Sequence, residues 1–125
     1  MNPVLVSSSL LFLVPLFVSL ALGQHLVSIG TAICLATSLA NHYYETKPLQ
    51  YLDIVVVNTI AAYFTLHSVK CSRNAGHFMV VAIALTTMGY YLYTKRSKKP
   101  PHWHAVVHLL ASVGIVVYTI ACSSN

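Results

Sequence analysis

Five long apolar runs, separated by links of a few polar or turn-forming residues, leave this chain few folds to choose from. They cover about 4–22, 26–44, 51–67, 78–93 and 104–121. Each is roughly 16 to 19 residues long, the lower end of what crosses a hydrocarbon layer of about 30 Å. Backbone polar groups in lipid must be satisfied internally, which leaves helices and closed barrels. Barrel strands alternate in polarity, and these runs do not. The sequence therefore predicts an all-α, polytopic membrane bundle of four or five transmembrane helices with short loops, a single transmembrane domain over 1–125.

The lower count allows for the first run being a secretory signal, because Ala21-Leu22-Gly23 resembles a small-residue cleavage site. No basic residue precedes that run, and it is long for the apolar part of a signal. It is read as a retained helix.

Composition agrees with lipid as the solvent. Only 7% of the residues are charged and 57% are hydrophobic, whereas a soluble domain carries about a quarter charged residues. The net charge of +5 does not point to nucleic acid, because Lys95, Arg96, Lys98 and Lys99 crowd one link between apolar runs. That is how a cytoplasmic loop is marked. Short links make neighbouring helices antiparallel. One face then holds the N-terminus and the 45–50 and 94–103 links, with Lys47, Lys95, Arg96, Lys98 and Lys99. The other holds Lys70 and Arg73. The first face, face A, is expected in the cytoplasm, together with the 94–103 loop. Tyr43, Tyr44, Tyr51, Tyr90, Tyr91 and Tyr93 mark a headgroup-level belt there.

Polar residues at helix ends are where chemistry is sought in such a chain. Ser38 and His42 lie four apart on the second helix, and Asp53 opens the third. His104 and His108 lie four apart on the fifth, a spacing that stacks two imidazoles on one helix face. All five approach the membrane from face A. Three neutral histidines with an open fourth position suit a catalytic zinc, which brings the pKa of its water to about 7. Asp53 could orient that water, take its proton or fix a ligand imidazole's tautomer. Ser38 could donate to a developing oxyanion.

Ser38-x-x-x-His42, Asp53 and His104-x-x-x-His108 resemble the CREST membrane-hydrolase superfamily, which includes alkaline ceramidases and adiponectin receptors. The resemblance implies zinc on His42, His104 and His108, with Asp53 and Ser38 as catalytic residues beside it. It also implies cleavage of an amide or ester bond in a membrane lipid. That family's bundle has seven helices. Either the pocket here is open, or a second copy or another membrane subunit closes it, or catalysis has been lost.

Each residue also has a plainer role. Ser38 could bond its own preceding turn, His42 and Asp53 could pair to fix helix register, and Asn58 could bond across helices. His102 and His104 flank Trp103 as an interfacial anchor would. His25, His67 and His77 read as interfacial polar residues of face B. Cys34 reads as a reduced core thiol, and the three cysteines show no paired metal spacing. The alternative function is a non-catalytic accessory subunit of a larger membrane complex.

Overall fold

The computed structural model describes residues 1–71 and 75–123. Arg73 and most of the 72–76 link, which the sequence assigns to face B, lie outside the described residues. The fold is all-α, five helical rods with no strand among the described residues. The first rod is α1 (Pro3–Ser9), a 3-10 turn over Leu10–Phe12, and α2 (Leu13–Ala21). The second to fourth are α3 (His25–Tyr44), α4 (Lys47–Cys71) and α5 (Gly76–Arg96). The last is a 3-10 turn over Pro101–His104 running into α6 (Ala105–Ser123).

The break in the first rod has a local cause. Pro15 carries no N–H and its ring crowds the carbonyl four residues back, at Leu11. The backbone tightens to 3-10 over that stretch. Asn2 caps α1 by accepting from the Leu5 N–H at 3.2 Å, the usual work of a short polar side chain there. Gly23, at φ +70, turns the chain into α3. Glu45 ends α3 at φ 55, its N–H donating to the Asn41 carbonyl at 2.9 Å, a left-handed cap more often made by glycine.

Contacts at the rod ends establish the zigzag. The Asn2 N–H donates to the His42 carbonyl at 3.0 Å, and the His104 and Tyr91 rings meet at 5.9 Å. These put the start of α1, the ends of α3 and α5 and the start of the last rod together. At the opposite end Gln24 donates to the Thr119 carbonyl at 2.9 Å. There, too, Cys71 of α4 and Cys122 of α6 are joined by a disulfide, with Cα atoms 5.2 Å apart. α6 packs against the first rod, α4 and α5, while α3 packs between the first rod and α4.

Polarity is turned inside out. Among the described residues, eleven polar or charged ones are buried against nine hydrophobic ones, so the interior is no oil drop. The buried face of α3 is Val27, Ser28, Thr31, Cys34, Ser38 and His42, two-thirds of it polar. Outside stand Phe17, Leu26, Val55, Leu66, Phe78 and Leu85, each more than half exposed. An apolar exterior of this extent is compatible with a lipid surround. Buried hydroxyls bonded to carbonyls and to each other are how membrane helices are held together. Ser19 and Ser28, 2.8 Å apart between α2 and α3, are one such pair.

Three rods, Pro3–Ala21, Lys47–Cys71 and Pro101–Ser123, are long and apolar enough to cross a membrane. α3 and α5, at 20 and 21 residues, have the length but no stretch as apolar as those of the other three. The fold is compatible with a membrane protein.

Candidate metal and hydrolase site

His42 enters the site from the last turns of α3, and His104 and His108 from the start of the last rod. The 3-10 turn of Pro101–His104 leads straight into α6, so the two histidines keep helical spacing, with ring centroids 4.8 Å apart. The His42 centroid lies 5.4 Å from His104 and 5.0 Å from His108. The Nε2 atoms of His42 and His108 are 3.3 Å apart. Tetrahedral zinc with bonds of 2.0–2.1 Å places its ligand nitrogens about 3.3–3.4 Å from each other. One nitrogen from each ring can be chosen so that all lie within 4.8 Å.

Ser38, 1% exposed, belongs to the same cluster. Its Oγ is 3.3 Å from His108 Nε2 and 2.9 Å from Ser9 Oγ. Ser9 in turn donates to the Leu5 carbonyl at 2.8 Å. Asp53, 7% exposed, sits in the α3–α4 interface. It accepts from Thr37 Oγ1 at 3.2 Å and Asn41 Nδ2 at 3.0 Å. Thr37 and Asn41 lie one helical turn apart on α3. The carboxylate is thus held by a hydroxyl and an amide, and neither the register pair with His42 nor a bond to any other imidazole is made.

Two contributors were not singled out from sequence. Ser8 and Ser9, on the first rod, touch the cluster directly. Ser8 Oγ lies 2.6 Å from His108 Nδ1 and 3.1 Å from the Leu5 carbonyl. The three groups are mutually satisfied when Ser8 donates to Leu5 and His108 Nδ1–H donates to Ser8. His108 Nε2 then presents a bare lone pair toward His42. Fixing the remote nitrogen of a ligand imidazole is the usual outer support of a metal site.

His42, His104 and Asp53 open on one cavity of about 440 Å³ at the face A end. The remaining candidates fall outside it. His102 is exposed and is not among the converging imidazoles. Asn58 donates to the Ile54 carbonyl of its own helix at 2.7 Å, so the cross-helix bond considered for it is not made.

At the other end, His67 lies near Cys71 and Cys122, with possible ligand atoms within 4.8 Å. The two sulfurs are tied to each other, and His67 Nδ1 is 2.8 Å from the Tyr118 hydroxyl. That group is a covalent staple with a histidine beside it. Cys34 is free and buried, the core thiol expected.

No family model, curated protein or solved structure matches the chain.

Proposed function

We propose that this chain is a multi-pass integral membrane hydrolase of CREST type, using zinc to cleave an amide or ester bond in a membrane lipid. The observation that carries the reading is the convergence of three imidazoles from two rods, with His42, His104 and the buried Asp53 carboxylate lining one cavity. His42, His104 and His108 would hold the ion, and their donor set and the 3.3 Å Nε2 separation fit it. A zinc ion held there supplies a water that ionises near neutral pH. Asp53 takes the proton, its carboxylate kept in place by Thr37 and Asn41. Ser38, whose O–H is given to Ser9 because Ser9 spends its own on the Leu5 carbonyl, would turn that proton to the oxyanion that develops on the lipid carbonyl.

In this reading all five rods cross the bilayer, α3 turning its polar side inward. Face A, with Lys47, Lys95, Arg96, Lys98 and Lys99, is cytoplasmic. The Cys71–Cys122 disulfide lies at the opposite end, and disulfides persist in oxidising compartments, so two unrelated features support one orientation.

Elemental analysis of purified protein tests the reading. About one zinc per chain is expected for the wild type, and little in the His104→Ala, His108→Ala double variant. A wild type with no metal, in a form that retains its helicity, would put the accessory-subunit reading in its place.

A further inference from the structure

The cavity over the histidines has a charged rim that zinc hydrolysis does not use. Lys47, Lys95 and Lys99 line it, as do His42, His104 and Asp53. Lys47 opens α4, whose first turn carries no acidic residue. Lys95 Nζ rests 2.9 Å from the Tyr91 hydroxyl, and Lys99 Nζ stands 4.8 Å over the Trp103 ring. Among the described residues none of these three lysines is ion-paired; the one ion pair joins Glu45 to the Met1 amino group at 2.9 Å. The other carboxylate at the cavity, Asp53, is bound by Thr37 and Asn41. Three lysines therefore line a hollow whose own acidic groups are already engaged.

The volume suits a headgroup and its linkage. About 440 Å³ falls within the range of small-ligand pockets, roughly 300–1,000 Å³. Leu5 and Ile54 also line it, so an amphiphile can put its apolar part against them and its anion among the lysines. A neutral headgroup would leave three ammonium groups facing it with nothing gained. Phosphate gains most, since lysine binds it as a point charge from several directions.

We infer that the cavity selects a lipid with a phosphate-bearing, anionic headgroup, held by Lys47, Lys95 and Lys99 with its scissile linkage toward the histidines. The inference deepens the hydrolase reading and rests on it for the reaction, but binding can be measured without turnover.

Trp103 is the only tryptophan, and Lys99 lies over its ring, so its emission reports an anion drawing Lys99 away. The experiment titrates the full chain, stripped of metal and held in neutral detergent, with short-chain phosphatidic acid. Parallel titrations use short-chain phosphatidylcholine and inorganic phosphate. Phosphatidic acid should give a saturable change at concentrations where the other two give none. The Lys47→Gln, Lys95→Gln double variant, which leaves the reporter intact, should bind at least about 10-fold more weakly. Lys95→Arg, which keeps the charge, should bind as the wild type does, as should Lys70→Gln at the far end. Equal responses to phosphatidic acid and phosphatidylcholine would overturn the headgroup assignment. Saturation by inorganic phosphate at the same concentrations would overturn the lipid, assigning the rim to a free anion. Because the metal is absent, binding with all the expected preferences stands even if hydrolysis is never found. Hydrolysis of neutral lipids without binding preference would sink the inference and leave the hydrolase reading intact.

Discussion

An imidazole can ligate a metal only through the nitrogen that bears no proton, so whatever holds the other nitrogen sets the site. For His108 that partner is Ser8, 2.6 Å from Nδ1. Ser8→Ala removes the acceptor and frees the ring to choose either tautomer. Zinc affinity should fall roughly 10–100-fold, the usual cost of losing such a support, as read by competition with a chelator. Asp53→Asn should behave oppositely. Asn41 and Thr37 can still bond the new amide, so metal content should stay at the wild-type level while lipid hydrolysis is lost. Unchanged zinc affinity in Ser8→Ala would remove the support role, and full hydrolysis by Asp53→Asn would remove the proton acceptor. That the three histidines and Ser38 meet, with Asp53 at the same end, was legible in the sequence from helical spacing and the alternation of the rods. Ser8 and Ser9 were not. A hydroxyl in an apolar helix satisfies itself on the preceding turn, as Ser9 does on Leu5, and carries no spacing to mark it.

Helices are set by hydrogen bonding and capping, whereas apolar runs are set by what touches lipid, so the two need not share ends. The run read as 51–67 is part of a helix that spans Lys47–Cys71, and 78–93 part of one that spans Gly76–Arg96. The additional turns carry Lys47, Pro48, Lys95 and Arg96, which suit a polar boundary and do not interrupt the backbone bonds. Proline near the start of α4 is harmless because a first-turn N–H has no partner to lose. The break at Leu10–Phe12 lay hidden within an apolar run whose only sign was Pro15. Packing between rods depends on small residues that the runs do not display. A Cβ at Gly114 would stand 3.1 Å from Ile83 Cγ2, and one at Gly30 would stand 3.3 Å from Phe64 Cζ. At these positions α6 meets α5 and α3 meets α4 closely. Gly114→Leu should destabilise the bundle by about 1–3 kcal/mol, the cost of overpacking. Gly89→Leu is the matched control, since nothing lies within 4 Å of its Cβ position. Equal unfolding midpoints in mixed-detergent titration would show that the α5–α6 contact is not close.

At the scale of the whole molecule, the two ends of the bundle differ chemically. One end gathers imidazoles, a carboxylate, lysines and the cavity; the other is stapled by Cys71–Cys122. The cysteine pairing went unread in the sequence because no short spacing links residues 51 apart. Only the zigzag brings the ends of α4 and α6 side by side. That division makes orientation testable from both ends at once. Ser97, exposed just after α5, tolerates a cysteine without disturbing a buried contact. The native thiols give little background, since Cys34 is buried and the other two are bonded. In intact cells, Ser97→Cys should resist a membrane-impermeant maleimide and label only after permeabilisation, because lysine-rich links are retained in the cytoplasm. The same reagent should label Cys71 and Cys122 in intact cells once an impermeant reductant has opened their bond, provided the protein resides in the plasma membrane. For an internal membrane, sealed vesicles of that organelle replace the cells, and Ser97→Cys is then the site labelled from outside. Protection of both ends from the same side would break the zigzag. Exposure of Ser97→Cys on the non-cytoplasmic side would invert the bundle and place the histidine site outside the cytoplasm.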